Sequence, residues 1–235
     1  MTSDNNGVRH LTLCRPEARN SLNHDLMRTL CDYLCEADVA PGVRVIVLRG
    51  EGKGFCAGAD LKATAILADE AAVRAHAALM RQLLDLPPTL GKPVIAQVHG
   101  FALGAGLALA LACDVAICTE SAILGYPEAR HGILPALVMP SLLRLVGAKV
   151  TFDMLATGRL IDGKAAHELG FARSVPDDDV EKAASEYAAD LSSRPDDFVR
   201  LLKQLMRNAT GLSPKAAMAA AEQANIESRL RRLPI

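Results

Sequence analysis

Two glycine-rich turns and one loop carboxylate are the parts of this sequence whose residue types and spacing could do chemistry. The first turn is EGKGFCAGAD at residues 51–60, the second is GFALGAG at residues 100–106, and the carboxylate is Glu128. A glycine turn that opens a helix presents free backbone N–H groups, which suit an anion or a carbonyl oxygen acquiring negative charge. The alternative is that the glycines serve only packing and that Glu128 pairs with Arg130 at the surface.

Each glycine turn follows a run that predicts a buried strand. Residues 43–50 (VRVIVLRG) are almost continuously apolar, and Val94, Ile95 and Val98 are β-branched residues placed ahead of the second turn. Residues 107–112 carry no polar side chain, so the helix after the second turn is expected to be buried on most sides.

The other segments predict a mixed α/β order that becomes helical toward the C-terminus. Strands are expected at residues 8–13 and 115–119, and no strand signal remains after PDDD at residues 176–179. A strand, a helix and a second strand at the N-terminus form a crossover unit. Further helices are expected at residues 24–37, 61–86, 138–146, 150–156, 162–169, 180–191, 195–208 and 214–230.

Composition excludes several classes of function. The 235 residues carry a formal net charge of −1 with mixed signs, no Trp, three Tyr and five Phe, so no nucleic-acid partner and no membrane surface is expected. Six cysteines without a Cys-x-x-Cys pair are expected to be reduced, and no metal site is expected. No secretory signal is visible, and the apolar run at residues 101–113 is too short to span a bilayer, so a cytoplasmic protein is expected.

The combination of motifs resembles the crotonase, or enoyl-CoA hydratase/isomerase, superfamily. The likeness rests on the two glycine turns, and it extends in register from Val8 to Val175. It implies an α/β fold, a crotonase-like spiral of repeated ββα units in residues 1–175 with the acyl-CoA site, and a C-terminal helical trimerisation region in residues 176–235. The motifs are GFCAGADLK at 54–62, HGFALGAGLALALACD at 99–114, RPEARNSLN at 15–23, YPEARHGILP at 126–135 and LATGRLIDGKAAHELGFARSV at 155–175.

The resemblance also implies site residues. The backbone N–H groups of Ala59 and Ala105 would form an oxyanion hole for the thioester oxygen, and Glu128 would be the acid/base. It implies an acyl-CoA partner, a homotrimer or dimer of trimers, and no cofactor, because coenzyme A is part of the substrate. The residues expected to bind substrate and coenzyme A are Ala57, Gly58, Asp60, Leu61, Lys62, Gly104 and Arg19.

The sequence departs from the family pattern at the carboxylates. Hydratases of the family that use two glutamates have one on the central helix, where this chain has Ala108, and a third acidic position used by some relatives is Ala136. A single carboxylate suits double-bond isomerisation, which is slightly favoured. Hydration by Glu128 with a positioned water stays open, as does a relative that binds acyl-CoA without turnover. A nucleotide-binding reading of GAGLAL fails because its third glycine position is Leu109.

Several other residues near the motifs could contribute, although a structural role is as ordinary for each. The acyl chain is not identified, because residues 63–86 resemble the family weakly. The chain ends at residues 233–235 (LPI), so a pocket cover is expected from a neighbouring subunit or not at all. The candidates are Asp69, Glu70 and His76 toward the acyl pocket, His99 and His131 beside the site, Arg15 near the phosphates, and Cys56.

Overall fold

The computed structural model describes residues 1–195 and 197–230, and the residues group into two compact units, Met1–Ser193 and Arg194–Ile235. A six-stranded sheet forms the centre of the first unit, in the order β1-β2-β3-β4-β6-β9, and a smaller sheet has the order β5-β7-β8. The strands are β1 (Thr2–Asn5), β2 (Val8–Leu13), β3 (Val45–Gly50), β4 (Val94–Val98), β5 (Phe101–Leu103), β6 (Val115–Thr119), β7 (Ile123–Gly125), β8 (Leu160–Ile161) and β9 (Arg173–Val175).

Helices surround the large sheet in the first unit. Short 3₁₀ helices occupy several of the connections, and one of them, Pro127–His131, carries Glu128. The α-helices of this unit are α1 (His24–Val39), α2 (Leu61–Ala65), α3 (Glu70–Asp85), α4 (Ala105–Ala112), α5 (Met139–Thr157), α6 (Gly163–Glu168) and α7 (Val180–Ser192).

The large sheet is buried on both faces, which explains the continuous apolar runs of its central strands. All pairs in it are parallel except β1 with β2. Val45 and Val47 face one side and pack with α7, whereas Ile46 and Leu48 alternate to the other side and join the main core. The order of parallel strands with helical connections is the α/β architecture expected from the sequence.

Most predicted helix and strand positions are found. Gly147 interrupts α5 with φ 74° and ψ 173°, as its position between two apolar runs indicated, and the side chain of Asp162 caps α6 by accepting from the Ala165 N–H at 2.8 Å. The helical region expected at residues 61–86 is found, but it is not continuous. It is divided into α2 and α3, because Asp69 caps α3 and starts a new helix.

The second unit is helical in its described residues. It contains α8 (Phe198–Ala209) and α9 (Pro214–Leu230), which contact each other. The boundary expected at residue 175 stays a prediction. The compact first unit extends to Ser193, since α7 covers one face of the large sheet. The predicted chain end at residues 233–235 lies outside the described residues, and no described helix is long and apolar enough to cross a membrane.

Candidate active site

The first glycine turn is held against the loop before α1 by paired backbone hydrogen bonds. Leu22 forms an isolated parallel bridge with Ala59, in which the Leu22 N–H donates to Gly58 O at 2.8 Å and the Asp60 N–H donates to Leu22 O at 3.1 Å. In this pattern Gly58 and Asp60, on either side of Ala59, make the backbone hydrogen bonds to Leu22. The Ala59 N–H therefore points to the opposite side, away from Leu22.

The Asn20 side chain also holds the first glycine turn in place. Its side chain is fully buried, and its amide donates to Glu51 O at 2.9 Å and to Gly54 O at 3.0 Å, while its oxygen accepts from the Arg15 N–H at 2.9 Å. All of its hydrogen-bonding directions thus serve the loop and the turn. The sequence suggested only a turn-favouring asparagine at this position, and no sequence signal showed that it is a buried anchor.

The second glycine turn connects β5 to α4 and lies against the first. The Leu103 N–H donates to Cys56 O at 2.9 Å, and a Cβ added at Gly58 would lie 2.7 Å from Leu103 O and 3.3 Å from Ala105 N. Ala105 is the first residue of α4, so its N–H has no acceptor inside the helix. The two turns touch, and they bring the backbone of Ala59 and Ala105 into one region.

Glu128 reaches this region through the pairing of β5 with β7. Leu103 lies opposite Gly125 in the parallel register, and the Gly104 N–H donates to Gly125 O at 2.8 Å. The segments that follow these two residues therefore leave the sheet side by side. A Cβ added at Gly104 would run into Glu128 Oε1 and lie 3.0 Å from its Cδ. The carboxyl group of Glu128 thus rests on the backbone that begins α4.

The surroundings of Glu128 favour its protonated form more than water does. Burial raises the pKa of this carboxyl above its usual value, although a backbone hydrogen bond and the charge of His131 act in the opposite direction. Its Oε2 is buried and has no hydrogen-bond partner among the described residues. The surface pair with Arg130 is not formed, since the Arg130 side chain packs near Gly158. This environment is the one that a proton-transferring glutamate needs.

The expected coenzyme A contacts lie around the first turn. Lys62 and Leu61 are exposed on α2, Arg19 is exposed before the turn, and Ala57 is half-buried with its N–H donating to Arg19 O at 3.0 Å. Asp60 uses its side chain for the fold. One oxygen accepts from the Lys62 and Ala63 N–H groups, and the other accepts two bonds from Arg15 at 3.1 Å.

Several other candidate residues have structural roles. His76 is half-buried, and its pKa is lowered by burial and by the charge of His24. Asp69 caps α3, and Glu70 pairs with Arg74 at 2.7 Å. Burial raises the pKa of the Cys56 thiol to about 12, which makes it a poor nucleophile.

His99 lies beside the start of the first glycine turn. One ring nitrogen lies 2.8 Å from Gly52 O, and the residue lines a cleft of about 460 Å³. Neither oxyanion-hole candidate nor Glu128 lines this cleft, although Gly50 and Glu51, where β3 meets the first glycine turn, do. Other residues that line it are Thr12, Arg49, Gln97, Asp178 and Glu181.

Ala108 lies one turn along α4 from the second glycine turn. Its N–H donates to Gly104 O at 3.0 Å, and its side chain is 1 % exposed, within the main core. A methyl group therefore stands where the two-glutamate pattern places a carboxylate. No group of three or more metal-ligating side chains occurs among residues 1–195 and 197–230.

The fold and the paired glycine turns are those expected of the enoyl-CoA hydratase/isomerase family, and comparison with known proteins identifies the same family. Residues 3–232 match the family model for enoyl-CoA hydratase/isomerase. The chain belongs to this family, and the neighbours below support the crotonase-like fold with C-terminal helices.

Particular relatives are similar over most of the chain. A Thermus thermophilus protein that carries a provisional enoyl-CoA hydratase name is 37 % identical over 215 residues, which cover 89 % of this chain and 84 % of that protein. The crystal structure of an enoyl-CoA hydratase from Bacillus anthracis has a TM-score of 0.91 at 33 % identity, covering 96 % and 88 % of the two chains. One from Mycobacterium smegmatis has a TM-score of 0.93 at 29 % identity, covering 97 % and 90 %.

The contact between Gly104 and Glu128 predicts the effect of one added methyl group. Gly104 has φ 52° and ψ −125°, and an added Cβ would collide with the Glu128 carboxyl. We expect Gly104→Ala to displace Glu128 and to lower the free energy of unfolding by about 2–3 kcal/mol through backbone strain and the collision. Thermal melting and circular dichroism measure the change.

Gly132→Ala is the control for a positive φ without a collision, in the milder left-handed conformation with ψ 18°. Gly132 has φ 67°, and a Cβ there would meet nothing within 4 Å, so only backbone strain is added. We expect a loss of about 1 kcal/mol. Equal losses in the two variants would contradict the contact with Glu128.

Proposed function

We propose that this protein is an acyl-CoA-processing enzyme that stabilises a thioester enolate with the N–H groups of Ala59 and Ala105 and moves a proton with Glu128. The observation that supports this most is the contact of the two glycine turns with the Glu128 carboxyl resting on Gly104. Backbone donors aimed at a developing negative charge stabilise the transition state more than the ground state. The proposed substrate is an enoyl-CoA thioester, in keeping with the family.

Double-bond isomerisation is the reaction that we propose first. It requires one base that takes a proton from one carbon of the acyl chain and returns it to another, and the negative charge between the two steps lies on the thioester oxygen. Glu128 is one carboxylate with a pKa raised by burial, and the position of a second carboxylate is Ala108. The base and the oxyanion donors would then act on opposite ends of one conjugated system.

Hydration is the second candidate. Glu128 Oε2 is buried without a partner in the described part of the chain, so it can accept a hydrogen bond from a water molecule. In this reaction the water oxygen bonds to the β-carbon, its proton passes to Glu128, and Glu128 protonates the α-carbon. The relatives named above carry hydratase names. A relative that binds acyl-CoA without turnover is the third candidate.

Analysis of the products separates these candidates, and replacement of Glu128 by glutamine tests whether the reaction depends on that carboxyl. Purified protein is incubated with 2-enoyl-CoA and 3-enoyl-CoA thioesters of several chain lengths, and products are separated by chromatography. We expect interconversion of the two esters, and we expect Glu128→Gln to slow it by about 10²–10⁴-fold because the proton carrier is lost. Glu168→Gln, at an exposed glutamate on α6, is the control and should retain activity.

Stability distinguishes a lost base from a lost fold. Burial raises the pKa of Glu128, so the folded state holds this proton more tightly than the unfolded state, and ionisation destabilises the fold as pH rises through the folded pKa. Glu128→Gln removes that charge, so the melting temperature at neutral pH should stay the same or rise. Formation of 3-hydroxyacyl-CoA that Glu128→Gln abolishes would put hydration first. Ester binding without any turnover would support the non-catalytic candidate.

A proline substitution tests the oxyanion hole directly. Ala105 is the first residue of α4, where proline is tolerated by the helix, and proline replaces the N–H with a ring CH₂ group. We expect Ala105→Pro to lower kcat by roughly 10²–10³-fold, the usual effect of losing one preorganised donor. Ala105→Gly keeps the N–H and should change kcat little. Similar losses in both folded variants would show that the Ala105 N–H does not contact the reacting oxygen.

We also propose a homotrimer or a dimer of trimers. Phe198, Leu202 and Met206 recur at helical spacing on α8 and are 48 %, 44 % and 63 % exposed, which forms an apolar row that assembly would cover. Sedimentation equilibrium should show three or six chains. Leu202→Glu should shift the population toward monomer, and a monomer at micromolar concentration in the unaltered protein would contradict the proposal.

A further inference from the structure

Tyr126 is a buried residue whose hydroxyl is not explained by the packing around it. It follows β7 directly, its side chain is wholly buried, and its hydroxyl oxygen has no hydrogen-bond partner among the described residues. Its ring needs no polar partner in the core, and a phenylalanine would fill the same space. A buried hydroxyl is therefore expected to have a use that a phenylalanine ring would not supply.

A complementary atom lies two residues along the chain. Glu128 Oε2 is also buried and without a partner in the described part of the structure. A tyrosine hydroxyl can donate one hydrogen bond, and an ionised carboxylate can only accept. Four other buried side-chain atoms without partners among the described residues, His10 Nδ1, Thr119 Oγ1, Thr151 Oγ1 and Ser174 Oγ, belong to β2, β6, α5 and β9. Tyr126 and Glu128 share one turn of chain.

The charge of Glu128 also acts on the Tyr126 hydroxyl, as expected for residues two positions apart. Burial raises the pKa of the Tyr126 hydroxyl, and the negative charge of Glu128 raises it further. Tyr126 therefore keeps its proton at neutral pH and stays a donor. Of the two carboxylate oxygens, Oε1 lies nearer to Gly104, and Oε2 is the one without a hydrogen-bond partner among the described residues.

We propose that Tyr126 is a positioning residue for Glu128. The Tyr126 hydroxyl donates a hydrogen bond to a water molecule, and this water donates in turn to Glu128 Oε2. This role rests on the proposed function, because it requires Glu128 to be the acid/base. A water with these two polar partners satisfies both buried groups. The bridge favours the ionised form of Glu128, opposes the effect of burial on its pKa, and fixes Oε1 on the side of the oxyanion turn.

Tyr126→Phe tests the role, because it removes the hydroxyl and keeps the ring. Losing a donor to the ionised carboxylate should raise the pKa that controls the acid limb of the kcat/KM profile by about one pH unit. We expect kcat near neutral pH to fall about 10-fold, with KM changed less than about 3-fold, since the hydroxyl acts on the base and not on substrate binding. Tyr33→Phe, at a partly exposed tyrosine on α1, should change neither quantity.

A second measurement keeps the test independent of activity. The carboxyl carbon of Glu128, labelled with ¹³C, reports its titration by NMR, and it should titrate at higher pH in Tyr126→Phe than in the unaltered protein. In the Glu128→Gln background, Tyr126→Phe should cause no further loss of rate, because Tyr126 acts through Glu128.

Two outcomes would contradict the positioning role of Tyr126. If the hydroxyl has no partner in the working enzyme, Tyr126→Phe removes an unpaired buried group, the melting temperature rises, and neither the acid limb nor the NMR titration moves. That result overturns the positioning role while Glu128→Gln still abolishes turnover. If Glu128→Gln instead retains full activity, the proposed function fails and the role of Tyr126 fails with it.

Discussion

The close approach of two backbone turns is the constraint on which the rest of the site depends. Gly58 has φ 96° and lies against Leu103 O and Ala105 N so closely that a Cβ at this position would be 2.7 Å from that carbonyl oxygen. Glycine satisfies both the backbone angle and the contact, whereas any L side chain would violate both. This close approach places the backbone at the start of α4 directly against the first glycine turn.

The strand β5 explains how that approach is maintained. On one side Cys56 forms a bridge with Ala102, and on the other side β5 pairs with β7 in parallel register. Three segments that are far apart in sequence thus meet along one short strand: the first turn, the start of α4 and the segment of Glu128. The large sheet beneath is buried on both faces, which gives these segments a rigid support.

The sequence predicts these segments well because their signals are local. Glycines at turns, β-branched strands, the break at Gly147 and the cap at Asp162 depend on neighbouring residues, and the structure has each of them. The strand β1 was missed, although Asn6-Gly7, with φ 47° and 79°, is an ordinary signal for a hairpin turn.

Other features depend on partners that are distant in sequence. The burial of Asn20, the ion pair of Asp60 with Arg15 and the partial burial of His76 are set by tertiary packing. Residue type does not identify these contacts. An asparagine in a loop, a charged residue after a glycine turn or a histidine on an alanine-rich helix is often exposed to solvent. The unpartnered hydroxyl of Tyr126 is of the same kind, since a tyrosine in an apolar segment predicts only a ring in the core.

The methyl group of Ala108 changes the electrostatic problem that Glu128 must meet. Two neighbouring carboxylates would raise each other's pKa by charge repulsion, and one of them would then hold a proton near neutral pH. With a methyl group at that position, the proton affinity of Glu128 depends on burial, which raises its pKa, and on donors and positive charges, which lower it. Each donor near a lone base therefore has a larger share in setting its ionisation than it would have beside a carboxylate pair. In this member of the enoyl-CoA hydratase/isomerase family, burial and the few donors and charges around the Glu128 carboxyl therefore set how readily the proposed base ionises.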